Sequence, residues 1–377
     1  MLDESGKEPY KYGMNQKIPV GVLGATGMVG QQYIRLLADH PWFEVVYVAA
    51  SPQSAGKKYK EALKSGWLVP GEIPQNVANL IVGDVANVKR AADSCALVFS
   101  AFEMPDKEAI KNAENAYAAA GMAVFSNASA HRGTPNVPVM IAEINPHHLD
   151  IIPHQQKANG WKKGFIVVKP NCSLQSYLTP IHALIAAGYD VEKLIITTMQ
   201  AVSGAGYPGV ASLDVIDNII PLIPGEEEKT EEEPLKILGE LKGAKFAPKK
   251  DLVISAHCNR VPVSDGHLAC VNVLFGKKKP NTQKIIEVWR AFRAEPQKLE
   301  LPFAPNEPII YRDEPNRPQP KIDRDADKAM AVTVGRLRPD NVFDIKFAAL
   351  SHNTVRGAAG GGILTAELAL KKGYLQV

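Results

Sequence analysis

Only four cysteines occur in 377 residues and no secretory h-region opens the chain, which excludes a disulfide-built secreted scaffold. Cys95, Cys172, Cys258 and Cys270 are expected as free thiols in a cytoplasmic setting. No apolar run approaches the roughly 18 residues of a membrane span, so no membrane partner is expected. Charge of one sign is scarce too: 43 Lys and Arg stand against 40 Asp and Glu, a net +3. The signs are interspersed outside one acidic block, which excludes a nucleic-acid footprint. No internal repeat is found, and residues 1–16 are polar and aperiodic, reading as a loose tail. What is present, 45% hydrophobic and 22% charged residues, is the composition of a soluble enzyme with about two domains and ample core.

The first ordered signal is an apolar strand over residues 18–23. It is followed by Gly24-Ala25-Thr26-Gly27-Met28-Val29-Gly30 and an amphipathic stretch over 28–38. Strand, glycine turn and helix in this order form a dinucleotide-binding context. The glycines admit a pyrophosphate to backbone N–H groups at a helix start, and Gly30 lets helix pack closely on strand. A second strand over 45–50 ends in Ser51-Pro52-Gln53-Ser54-Ala55-Gly56-Lys57-Lys58. An Asp or Glu at this tip would bind the adenosine ribose hydroxyls, and none is there. Ser51 and Ser54 with Lys57 or Lys58 suit a 2′-phosphate better, which favours NADP over NAD. The alternation continues with a strand over 96–100, a helix over 106–120 and a strand over 123–126. At its end Asn127-Ala128-Ser129-Ala130-His131-Arg132 offers a guanidinium suited to phosphate or carboxylate.

A further apolar run, 164–168, stops at Lys169-Pro170, and Cys172 follows where a helix over 173–187 begins. Unpaired N–H groups and the positive macrodipole end at a helix start favour thiolate and can donate to an oxyanion. Taken alone, Cys172 reads as a small buried hydrophobe, as most free cysteines do. A strand-like run over 193–202 leads into the glycine-rich turn Gln200-Ala201-Val202-Ser203-Gly204-Ala205-Gly206, with a side-chain amide at its edge. The acidic block 226–233 reads mainly as a solvated helix start, with one or two glutamates left to face a cationic substrate group.

Two alternating runs, 252–261 and 268–275, flank Val263-Ser264-Asp265-Gly266 and read as a hairpin with Asp-Gly in its turn. They hold His257, Cys258, Arg260, His267 and Cys270. The strand period sends neighbouring His257 and Cys258 to opposite faces, and likewise His267 and Cys270, so no metal site is expected. Residues 301–320 are proline-rich and read as an extended link. Strands are expected over 332–336 and 343–350, then a small-residue loop over 351–362 and a closing helix over 363–372 that returns to the first domain. The expected domains are 1–170, completed by 352–377, and 171–351.

Five segments jointly carry a resemblance: Gly24 through Gly30, Pro170-Asn171-Cys172-Ser173, Gln200 through Gly206, Asp265-Gly266-His267, and Asn353-Thr354-Val355-Arg356-Gly357-Ala358-Ala359-Gly360. Together they resemble the aspartate-semialdehyde dehydrogenase family, its archaeal and fungal branch above all. The resemblance implies an α/β fold: an N-terminal Rossmann-type parallel sheet with a second α+β catalytic and dimerisation domain, assembled as a homodimer or a dimer-of-dimers tetramer. It implies NADPH-dependent reductive dephosphorylation of L-4-aspartyl phosphate to L-aspartate 4-semialdehyde, on the route to lysine, threonine and methionine.

Cys172 matches the family nucleophile, His267 the general acid/base and Gln200 the residue that orients the acyl group. On the substrate side, Arg260 matches the α-carboxylate partner, Glu226 the amino-group partner, and Arg132 with Lys229 the cations near the phosphate, beside Asn171. Gly24, Thr26, Gly27, Met28, Val29, Gly30, Ser51, Ser54, Ser203, Gly204 and Asn353 match positions for NADP(H). Gln53 stands where many relatives carry a basic residue, which keeps NAD open beside NADP. A malonyl-CoA reductase or another acyl-phosphate reductase shares this architecture, and a Cys-His hydrolase or acyltransferase without nicotinamide is the alternative of another class. Asn171 and the Glu226 to Lys229 set favour an amino-acid phosphate, and the glycine turn argues against the hydrolase.

Overall fold

The computed structural model describes residues 17–375, so the tail read over 1–16 lies outside the described residues. The first sheet contains β1 (Ile18–Leu23), β2 (Phe43–Ala50), β3 (Gly83–Asp84), β4 (Leu97–Ser100), β5 (Ala123–Ser126) and β6 (Phe165–Val168). They are parallel in the order β3-β2-β1-β4-β5-β6. Continuous apolar runs such as Phe165-Ile166-Val167-Val168, buried throughout, are what a sheet covered on both faces demands. Chain order reverses between β1 and β4, and open α/β sheets bind ligands in the crevice at such a point.

Helix α1 (Met28–Leu37) buries Tyr33, Ile34 and Leu37, and α2 (Lys107–Ala119) starts at Asp106, whose side chain accepts from the Glu108 N–H. The second sheet contains β7 (Val191–Gln200), β10 (Val253–Arg260), β11 (His267–Phe275), β12 (Ile309–Arg312), β13 (Val332–Pro339) and β14 (Ile345–Ser351). A separate two-stranded ribbon consists of β8 (Glu240–Lys242) and β9 (Lys245–Ala247). Helices α3 (Leu174–Ala186) and α5 (Thr282–Ala291) pack on one face of the second sheet, and α4 (Glu226–Ile237) lies along β10.

Three expectations are corrected. First, the strands flanking Asp265-Gly266 form no hairpin: the order is β10-β7-β11-β14-β13-β12, with β7 between them. β10 runs parallel to β7 and β11 antiparallel to it, so the turn crosses the end of a third strand. Alternation and Asp-Gly identify strands and a turn, but they do not say which strand each will pair with. Second, the proline-rich link contains β12, an edge strand parallel to β13, whose four residues lie between Pro308 and Pro315 and include no proline.

Third, the small-residue segment before the closing helix is itself helical. A π-helical turn, Val355–Ala359, runs straight into α6 (Gly360–Lys371). Its glycines serve close approach: a Cβ at Gly362 would come within 2.0 Å of the Tyr33 hydroxyl, and one at Gly361 within 2.2 Å of Lys169 Nζ. α6 is buried from Gly360 to Leu370 and contacts β5 and α1 of the first sheet.

Candidate active site

The pairing of β10 and β11 about β7 brings Gln200, Arg260 and His267 to one end of three adjacent strands. Gln200 pairs with Arg260 across β7 and β10, and His267 opens β11. Cys172 arrives from the other sheet, past the end of β6 and two residues before α3. His267 Nε2 lies 3.3 Å from Cys172 Sγ.

The Ala201 N–H donates to His267 Nδ1 at 3.0 Å. That bond requires a lone pair on Nδ1, so the neutral ring carries its proton on Nε2, facing the sulfur. Burial, then the neighbouring Arg260 guanidinium, push the imidazole down to about 3. Cys172 is partly accessible at the cavity floor but hemmed in by protein, and burial, then the Glu226 carboxylate, push its thiol up to about 12. The helix-start effect is therefore outweighed in the free protein. The pair is a neutral N–H donor facing a thiol, and an emerging thiolate would be held by a hydrogen bond.

A cavity of about 470 Å³ opens above Cys172 and is lined by Arg132, Asn171, Glu226 and Lys229 on one side and Val29, Ser203, Gly204 and Asn353 on the other. Lys229 Nζ meets Glu226 Oε1 at 2.9 Å, and Gln200 Nε2 donates to Glu226 Oε2 at 3.1 Å. Burial works to raise the Glu226 carboxyl, but Lys229 with hydrogen bonds from Asn171 and Gln200 outweighs it and leaves the group lowered. Arg260 Nη1 donates to Ala201 O at 2.7 Å, and burial lowers its pKa despite Cys172 and Glu226 nearby. Asn353 ties two predicted motifs together, donating to Ser203 Oγ at 2.8 Å and accepting from the Gly266 N–H at 2.8 Å.

The glycine turn fits a dinucleotide. Gly24 has φ +76°, and a Cβ at Gly30 would come within 2.2 Å of Gly24 O, so the turn tolerates no side chain at either point. No side chain caps α1, which leaves its first-turn N–H groups available to an anion. Among the described residues no cluster of three or more His, Cys, Asp or Glu could hold a metal.

Family models match at residues 19–152, the semialdehyde dehydrogenase NAD-binding domain, and 180–356, the semialdehyde dehydrogenase dimerisation domain. Aspartate-semialdehyde dehydrogenase of Aspergillus fumigatus is 46% identical, covering 94% of this chain and 98% of its own. That of Archaeoglobus fulgidus is also 46% identical over the same shares. The chain belongs to the aspartate-semialdehyde dehydrogenase family. Among solved structures, the Candida albicans aspartate-semialdehyde dehydrogenase with NADP matches at TM-score 0.87 and 38% identity, over 95% of this chain and 100% of that one.

Most residues singled out through the aspartate-semialdehyde dehydrogenase motifs converge on Cys172. Gln200 does so through Glu226, its amide being engaged by that carboxylate and by the Thr198 hydroxyl at 3.1 Å. Met28 lines a second cavity of about 690 Å³ along α1. Thr26 and Gly27 belong to the turn before α1. Ser51 and Ser54 lie apart, beyond β2, where the Ser54 N–H bonds Ser51 O at 2.9 Å; Ser51 is exposed and Ser54 buried. Lys57 folds back onto Gln53 O at 3.0 Å.

Three neighbours of the site escaped sequence reasoning. Glu233 bonds Arg132 Nη1 at 2.8 Å and the Asn171 N–H at 2.7 Å. Its signal was available: Glu226, Lys229, Thr230 and Glu233 follow the i, i+3, i+4, i+7 spacing of one helix face. Lys169 is wholly buried, its ammonium on Arg356 O at 3.2 Å, and burial, then Arg356, push it down to about 7. Gly357 touches the Cβ of Cys172, since a Cβ there would lie 2.8 Å from it. Nothing in the sequence announces the last two, because both depend on which segments meet.

Proposed function

We infer that this chain catalyses the NADPH-dependent reductive dephosphorylation of L-4-aspartyl phosphate to L-aspartate 4-semialdehyde, feeding lysine, threonine and methionine biosynthesis in the cytoplasm. The observation that supports it most is the Cys172 to His267 contact of 3.3 Å at the floor of a cavity shared with the glycine-turn helix. Arg260 takes the substrate α-carboxylate, Glu226 its amino group, and Arg132 with Lys229 the phosphoryl oxygens. Cys172 attacks the acyl carbon, its thiol proton passes to the departing phosphate, and a thioester is left on the sulfur. NADPH, when bound along Gly24 to Gly30 with Ser203, Gly204 and Asn353, supplies the hydride that reduces the acyl group to the aldehyde level. His267, with its proton on Nε2, donates first to the thiolate and then to the oxygen that turns negative, and Gln200 steadies the acyl end through Glu226.

Residues 1–170 with 352–377 form the cofactor-binding unit and 171–351 the catalytic and dimerisation unit. The dimerisation-domain match supports a homodimer or a dimer-of-dimers tetramer, as does apolar surface on and beside the second sheet's open face: Ile195, Val253, Ile219 and Leu222, the last three about 60% exposed. Aspartate semialdehyde, phosphate and NADP should yield absorbance of the reduced cofactor, whereas malonyl-CoA with NADPH should give no oxidation. In the first assay Cys172→Ala is expected to abolish turnover while NADPH binding persists, and His267→Ala to cost about 100-fold or more in rate. Near-normal turnover of the Cys172 variant sinks the mechanism.

A further inference from the structure

Both cations read as phosphate partners already hold a carboxylate in the free protein. Lys229 is on Glu226 at 2.9 Å and Arg132 on Glu233 at 2.8 Å. The two pairs differ in what a substrate does to them. Glu226 has its own proposed partner in the substrate's amino group, so binding can release Lys229 to the phosphoryl oxygens. Glu233 has none.

Its environment is fixed. Its side chain is only 10% exposed, with one oxygen on Arg132 and the other on the Asn171 N–H at 2.7 Å, one residue before the nucleophile. Arg132 is held from three sides, by Glu233 at Nη1, by Lys169 O at Nε at 3.0 Å and by Asn127 O at Nη2 at 3.3 Å. Each Nη still carries a second N–H that is left to donate to an oxyanion. An incoming phosphate therefore meets a guanidinium whose charge is already shared with a carboxylate.

We propose that Glu233 is a specificity-determining residue of the phosphate subsite: an internal anion that weakens the hold of Arg132 on phosphate and anchors the Asn171–Cys172 backbone. The proposal rests on the reading of Arg132 as a phosphate cation. Its physical content is a balance. A phosphate gripped too tightly would slow its release once the acyl bond has broken, and the carboxylate keeps that grip weak. The same carboxylate fixes the backbone from which the thiol projects, so the leaving-group subsite and the nucleophile share one anchor.

The two roles separate by substitution. Glu233→Gln keeps an oxygen for the Asn171 N–H but removes the charge, whereas Glu233→Ala removes both. In the assay with aspartate semialdehyde and NADP at varied inorganic phosphate, Glu233→Gln is expected to lower the phosphate KM by about tenfold, the worth of one nearby like charge. Its kcat should stay within about threefold, because a neutral acceptor still satisfies the N–H. Glu233→Ala should lower the phosphate KM as well, with kcat falling by about tenfold or more as the loop loses its anchor.

Arg132→Gln is the control and should raise the phosphate KM. If it does, and the phosphate KM of both Glu233 variants is unchanged or raised, the inference is overturned while the reading of Arg132 stands. If Arg132→Gln leaves the phosphate KM unchanged, the reading of Arg132 fails and the inference falls with it. Should one Glu233 variant not fold, the phosphate KM of the other decides.

Discussion

At the scale of single residues, the chemistry turns on which atom of His267 bears a proton. A backbone N–H on Nδ1 opposes a second proton there, and burial beside Arg260 opposes the cation altogether. The thiol of Cys172, pushed up to about 12, is then not ionised by its neighbour at neutral pH. A thiolate is what the helix-start position of Cys172 leads one to expect; the Ala201 N–H, invisible in the sequence, keeps its histidine partner neutral. In the free enzyme, alkylation of Cys172 by iodoacetamide should therefore accelerate about tenfold per pH unit between roughly pH 7 and 10. A plateau in that rate below pH 8 would show that the thiolate is already held.

The acidic helix α4 shows what an element can do that its composition conceals. Only Glu228 and Glu232 have the exposed setting that an acidic block leads one to expect. Glu227 and Glu231, one turn apart, accept the N–H groups of Cys258 at 3.1 Å and Ala256 at 2.9 Å. These belong to β10, the edge strand of the second sheet, so two glutamates cover a strand edge that would otherwise present unpaired donors. Glu231→Ala and Glu227→Ala should each cost about 1–2 kcal/mol in urea unfolding, because a buried donor loses its partner. Glu228→Ala and Glu232→Ala should be silent; equal losses from all four would assign the effect to the negative charge of the helix rather than to the strand-edge bonds. The strands themselves were legible from period and turn residues, whereas the edge position of β10 was not, because the hairpin reading paired it with β11.

For the whole molecule, seven histidines are held toward the neutral form: His40 and His267, pushed down to about 3, His131, His148 and His182, pushed down to about 4, and His147 and His352, lowered as well. Desolvation is the leading cause for each. A histidine whose folded pKa lies below its unfolded value costs stability as pH falls through about 6.5, since the unfolded chain then binds protons that the folded chain refuses. Glu114, raised to about 7 by burial, and Glu367, raised by the same cause, act in the opposite direction, but they are two against seven. The melting temperature should thus drop between pH 7 and pH 5. A flat or rising profile would show that these rings are charged in the fold.

The sequence by itself determined the alternation of strands and helices in the first sheet, the glycine turn, the place of Cys172 between strand and helix and the residue types that surround it. These are local matters of period, backbone freedom and side-chain chemistry, readable wherever neighbours in the chain are also neighbours in space. Only the tertiary structure decided that β7 separates β10 from β11, and with it the meeting of Gln200, Arg260 and His267 at one end of the second sheet. It alone decided that Glu233 binds Arg132, that Lys169 lies buried behind Cys172, and that Gly357 rests on the thiol's own carbon. Each of these contacts joins segments distant in the chain, where pairing and close packing choose the partner and no local propensity can.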